Sequence, residues 1–194
     1  MFLLFDISAN GNPRSWKAPY TDTFNWPRMI HLAWLVYDKK GQLVEDKDFM
    51  VNPVGYDVSP ETLMRHKLQE DMMQQTGLPV QDVLSSFNES VNASTFIIAF
   101  NLQFHENVIM SEFYRENIES KFFLAERICL MRESTYFCKL EGPNGRYKWP
   151  SLLQLHTKLF GGGFENNGNA HNDVMAVSRC FNKLMDLGAL EDLF

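Results

Sequence analysis

Three strand-like segments follow one another before Ser59, and the next two are each set apart by helix-patterned sequence. That order constrains the fold more than any other feature of the chain. Phe2 to Phe5 is an apolar run ending at Asp6, and it reads as a buried strand. A loop rich in Gly, Asn, Pro and Ser follows from Ala9 to Pro19. Arg28 to Tyr37 alternates as a second strand, Lys39-Lys40-Gly41 turns, and Leu43 to Val51 forms its hairpin partner. Ser59-Pro60-Glu61 is a helix start, with Ser as cap and Pro in the first turn. Pro79 begins another helix, whose Val80, Val83, Leu84, Phe87 and Val91 share one face. Thr95 to Phe100 predicts a buried strand, and Val108, Ile109 and Phe113 a helix. Arg127 to Met131 predicts a fifth strand. Pro150 and Ser151 precede a short helix carrying Leu152, Leu153, Leu155 and Leu159, which Gly161 to Gly163 break. The last helix follows Asn172, with Val174, Val177, Phe181 and Leu184 on its buried face. Strands first paired and then alternating with helices predict an α/β layer structure with a mixed sheet. With no repeat, low-complexity stretch or dividing linker, residues 1–194 read as a single domain.

The chain has 194 residues, 45% hydrophobic and 22% charged, enough for one sizeable core. Its 16 Phe residues predict a core rich in aromatic rings. The net charge of −6 supplies no footprint for tight, non-specific DNA binding, though it leaves room for a local basic groove. Cys129, Cys138 and Cys180 are odd in number and lack metal-type spacing, which predicts reduced thiols and a cytoplasmic location. Met1 to Phe5 is too short for a signal sequence, and no apolar stretch approaches the roughly 20 residues of a membrane span. The expectation is a soluble protein without a membrane partner.

Three segments then line up with a known family. Phe5-Asp6-Ile7-Ser8-Ala9-Asn10-Gly11 resembles the first motif of the DnaQ-like (DEDDh) 3′–5′ exonucleases, an apolar strand ending in Asp-x-Glu-x-x-Gly. Ile98 to Phe113 resembles the second motif, in which an Asn precedes Phe-Asp by three residues and a helix follows. Phe164 to Phe181 resembles the third, in which a His stands five residues before an Asp. The stretches from Ser15 to Asp38 and from Arg127 to Gly161 are similar to the connecting segments of bacterial members, so the resemblance covers nearly the whole chain. It implies a ribonuclease H-like fold, with a five-stranded mixed sheet flanked by helices.

The resemblance also implies a chemistry. These enzymes hydrolyse phosphodiesters with two Mg²⁺ or Mn²⁺ ions about 4 Å apart, held by carboxylates, with a His as general base. Asp6 matches the first Asp and Asp173 the last. Ser8 stands where the family has Glu, and a short neutral hydroxyl does not replace a bridging carboxylate. Its ordinary reading is a loop residue bonded to nearby backbone. His105 stands where the second motif has Asp. Imidazole ligates Mg²⁺ poorly but Mn²⁺ or Zn²⁺ acceptably, and the plain reading is a partly exposed polar residue at a helix start. Glu106 would project about 100° away. Gly168 falls at the position of the base. His171, two residues before Asp173, is a substitute base if the segment loops out, and otherwise a surface His. Asn172 and Asp173 also read as helix caps. Asn101, Phe104, His66 and Lys67 match positions near the substrate, with Lys67 in place of a family Gly.

Two functional readings follow. One is a nucleic-acid-binding pseudoenzyme that holds a single strand or 3′ end with weak or no catalysis. The other is an active exonuclease using Asp6, Asp173, His105 and His171 with a softer metal. A third, a non-catalytic module for a protein partner, fits the acidic charge. Trp16, Lys17, Tyr20, Trp26 and Arg28, and separately Arg146, Tyr147, Lys148 and Trp149, combine aromatic and basic residues. Each group suits either base stacking or the packing of a loop.

Overall fold

The computed structural model describes residues 1–165 and 168–190. Five strands form one mixed sheet: β1 (Phe2–Ala9), β2 (Met29–Tyr37), β3 (Leu43–Met50), β4 (Phe96–Ala99) and β5 (Glu126–Cys129), ordered β3-β2-β1-β4-β5. The first three make an antiparallel meander, and β4 and β5 run parallel to β1. The helices between and after them are α1 (Pro60–His66), α2 (Glu70–Thr76), α3 (Val80–Ala93), α4 (Leu102–Arg115), α5 (Leu130–Glu133), α6 (Thr135–Cys138), α7 (Leu152–Phe160) and α8 (Ala170–Asp186). This is the ribonuclease H-like α/β architecture. No helix among the described residues is long and apolar enough to cross a membrane.

Strand alternation divides the core in two. Leu3, Phe5 and Ile7 of β1 pack with Val83, Leu84 and Phe87 of α3 and Val108, Ile109 and Phe113 of α4. Leu4, on the opposite face, packs with Val174, Val177, Phe181 and Leu184 of α8 and Leu155 of α7. The first core is aromatic, as the Phe content predicts: Phe87 meets Phe5 and Trp34 with ring centroids 5.3 Å away in each case. Each such pair contributes about 0.5–1.5 kcal/mol beyond area burial.

Several expectations shift at element ends. β1 does not stop at Asp6, because β2 supplies partners as far as Ala9↔Met29. Asp6 and Ser8 are therefore strand residues on the α8 face. β5 ends at Cys129 rather than Met131, since the four residues of β4 offer partners only for Glu126 to Cys129. Helix α2 escapes the periodicity reading because Met73 is its sole buried residue. The last helix begins before Asn172: Asn169 caps it, its side chain accepting from the amides of His171 (3.0 Å) and Asn172 (3.2 Å). The capping role expected of Asn172 and Asp173 falls to Asn169.

Candidate active site

The candidate residues gather where β1 outruns its parallel neighbour. β4 pairs with β1 only from Phe2 to Leu4, so the Ile7 amide finds no strand partner on that edge. His105, from the first turn of α4, supplies one: its Nδ1 accepts from the Ile7 N–H at 3.2 Å. That bond fixes the tautomer, leaving the ring proton on Nε2, which lies 3.2 Å from Asp6 Oδ2. A sharp turn delivers the helix there, with Asn101 in the left-handed region at φ 61°. Phe104 meets the His105 ring edge-on at 5.4 Å and leans on Trp16 at 6.0 Å. His105 is thus buried, with Nδ1 bonded and Nε2 against Asp6, not the partly exposed polar residue that its place at a helix start suggests. Glu106 turns away as expected and pairs with Arg127 at 2.8 Å.

Burial sets the charges of this group. Burial lowers the His105 pKa to about 4, and a bond to the Phe100 carbonyl only partly offsets it. The ring is neutral near pH 7, so its 3.2 Å contact with Asp6 is not an ion pair. Burial, then the negative charge of Asp173, pushes the Asp6 carboxyl well above its usual range, with the Ile7 amide opposing. Asp173, in the first turn of α8, is raised by burial to about 6. Its Oδ1 is buried without a hydrogen-bond partner among the described residues.

The strand residue Ser8 does not bond nearby backbone. Its hydroxyl donates to the Gly168 carbonyl at 2.9 Å, bridging β1 to the segment before α8. His66 Nδ1 reaches the same carbonyl at 2.7 Å, which ties α1 to that point. Gly168 itself sits at φ +69°, and a Cβ there would stand 2.9 Å from the Arg65 carbonyl. The backbone geometry therefore disfavours any side chain at the position of the family base. Asn166 and Asn167 of the third segment lie outside the described residues. Lys67 adopts the left-handed conformation that favours Gly, at φ 50°, with its side chain exposed. His171 bonds Asp46 of β3 at 2.8 Å through Nε2, so in this arrangement it is engaged with the sheet edge.

The sequence reading overlooks Glu112, fully buried in α4. It accepts from Arg28 Nε (2.9 Å) and the Met29 amide (2.8 Å) and lies 3.1 Å from Arg115 Nη1. This network pins the loop between β1 and β2, and Arg28 also stacks 4.2 Å over the Tyr56 ring. A Glu between buried Ser111 and Phe113, on the packed side of a helix, was the available signal.

A two-ion centre needs several carboxylate oxygens turned toward a common point. Among the described residues no three His, Cys, Asp or Glu side chains are grouped to hold a metal. Asp6 Oδ2 lies 3.2 Å from His105 Nε2, and Ser8 is spent on a carbonyl. These residues do not fit a pair of hard cations. Among the described residues, Asp173 Oδ1 is a buried carboxylate oxygen without a hydrogen-bond partner.

By sequence, the chain matches no family profile and no curated protein. By structure it is similar to Escherichia coli exonuclease I. In complex with a dT13 oligonucleotide that protein superposes with a TM-score of 0.75 at 20% identity, over 100% of this chain and 42% of the other. The zinc-bound form of the exonuclease I–single-stranded DNA complex gives 0.71 at 21% identity, over 96% and 40%. The structure said to suggest how processivity is achieved gives 0.73 at 19%, over 95% and 40%. The fold is shared with these exonuclease I structures, and this chain spans about two-fifths of their length.

Proposed function

We propose that this chain binds the 3′ end of a single-stranded nucleic acid at the carboxyl ends of β1 and β4, and hydrolyses it weakly or not at all. The observation that carries this reading is the His105–Asp6 contact: a neutral imidazole, held by the Ile7 amide, lies 3.2 Å from the carboxyl group that would otherwise face a cation. Exonuclease I binds single-stranded oligonucleotides on the same fold, which supports the choice of ligand. His66, Lys67, Asn101 and Phe104 are the proposed contacts. Three buried free thiols fit a reducing compartment such as the cytoplasm.

A second reading, an active exonuclease with non-standard ligands, draws on one specific observation. Asp173 carries an unsatisfied buried oxygen, and a single Mg²⁺ or Mn²⁺ bound between it and Asp6 would relieve the repulsion between them. Residues present for such an ion are Asp6 and Asp173, with His105 available only if it released Ile7.

The 3′-end reading is tested by fluorescence anisotropy with a linear oligothymidylate and its circular form. Preference for the linear strand, lost on blocking its 3′ hydroxyl, is expected. Equal affinity for linear and circular strands counts against it.

A further inference from the structure

Between β5 and α7 the chain builds a feature that the β1 cleft does not use. Residues 139–149 fold back as a hairpin: the Gly142 amide donates to Arg146 O at 2.9 Å, the Lys148 amide to Leu140 O at 3.0 Å, and Glu141 bridges Tyr147. Asn144 (φ 60°) and Gly145 (φ 71°) make the turn, the Asn-Gly pairing that tight hairpins favour. Gly142 is required, because a Cβ there would lie 2.6 Å from Arg146 O.

This hairpin holds rings open to solvent. Trp149 is 57% exposed, Tyr147 43%, and Tyr136 of α6 76%, although apolar contact normally hides such residues. They line one pocket of about 520 Å³ with Arg132, Thr135, Gly145 and Arg146. Tyr136 and Tyr147 meet edge-on at 6.0 Å, so the two rings are not stacked face to face. Arg132 sits 5.5 Å over the Trp149 ring. Both charged residues of the pocket are arginines. From Arg132 to Trp149 the chain has four cationic and two anionic side chains, against an overall charge of −6.

The pocket also connects to the cleft. Arg132 Nη2 donates to Gln103 Oε1 at 3.4 Å, and Gln103 precedes Phe104 and His105 in the first turn of α4. Both α4 and α5 begin at the carboxyl ends of their parallel strands, the same sheet edge as the end of β1.

We propose that Tyr136, Tyr147 and Trp149, with Arg132 and Arg146, form a second contact for a single nucleic acid strand whose 3′ end lies in the cleft. Bases stack on the exposed rings and phosphates meet the two guanidinium groups. The inference rests on the nucleic-acid reading of the cleft and extends it by a distinct site. A strand long enough to span both sites gains from it, and a strand confined to the cleft does not.

The test measures dissociation constants of the full chain for short and long oligothymidylates, and for a long strand carrying abasic sites. Trp149→Ala is expected to weaken the long strand about 5- to 100-fold, the usual worth of one stacked base. The short strand is unaffected, Trp149→Phe retains most of the affinity, and abasic sites reproduce the loss. Trp149 is exposed, and circular dichroism checks that the variant is folded. Tight binding of the long strand by both wild type and Trp149→Ala overturns the platform and leaves the cleft reading intact. An abasic strand that binds as well as the intact one also overturns it. No binding of any strand by the wild type overturns both readings.

Discussion

Replacing Asp173 by Asn should stabilise the protein, and the gain should grow with pH. Burial raises the Asp173 pKa from an ordinary 3.8 to about 6, while the unfolded chain keeps the ordinary value. Between those two values the folded state holds a proton that the unfolded state releases. Stability therefore falls as pH rises through about 4 to 6 and stays lowered above. A shift of about two units corresponds to roughly 3 kcal/mol. Asp173 keeps some solvent contact, and discounting for screening leaves about 1–2 kcal/mol. The amide has no charge to desolvate, so the variant escapes this cost. For a chain of this size, that is a melting temperature higher by roughly 2–8 °C near pH 8 and little changed near pH 4. Thermal unfolding of both proteins at the two pH values reads the difference directly. A variant less stable than wild type near pH 8 would refute the reasoning, because the carboxylate would then be making a favourable contact, such as to a cation.

His105→Ala removes the acceptor of the buried Ile7 amide, and should cost about 1–3 kcal/mol in urea unfolding. No measurable loss would mean that the ring does not hold this amide. In the wild type, ¹⁵N chemical shifts should report a neutral His105 with its proton on Nε2, until pH falls to about 4. Ser8→Glu should not create strong nuclease activity: it forfeits the bond to Gly168, and no base stands at Gly168. Robust cleavage by that single variant contradicts the assignment of Gly168 to the base position.

Strand and helix patterning conveyed the order of elements along the chain because apolar runs with period 2 and faces with period 3.6 report burial directly. The resemblance added the two outer carboxylates, Asp6 and Asp173. What the sequence hid was set by tertiary partners. Ser8 reads as a loop residue until β2 is seen to pair with it, and its bond is to a carbonyl 160 residues away. His105 reads as exposed until the shortness of β4 leaves the Ile7 amide in need of an acceptor. Asn169 outcompetes Asn172 as a cap for a local reason, its reach to two amides, that sequence alone leaves undecided among neighbouring Asn residues. The Asn144-Gly145 dipeptide is a short-range turn signal that the sequence reading passed over, and nothing local announces the meeting of Tyr147 with Tyr136.

The account turns on whether a site in which His105 engages Asp6 still cleaves a phosphodiester. The direct measurement is degradation of 3′-labelled single-stranded DNA and RNA, in Mg²⁺ and separately in Mn²⁺, with Asp6→Ala as the control. The account predicts at most a trace of cleavage, equal in wild type and control, alongside retained binding. Efficient cleavage that disappears in Asp6→Ala would contradict it, and would mean that His105 releases the carboxylate for a metal.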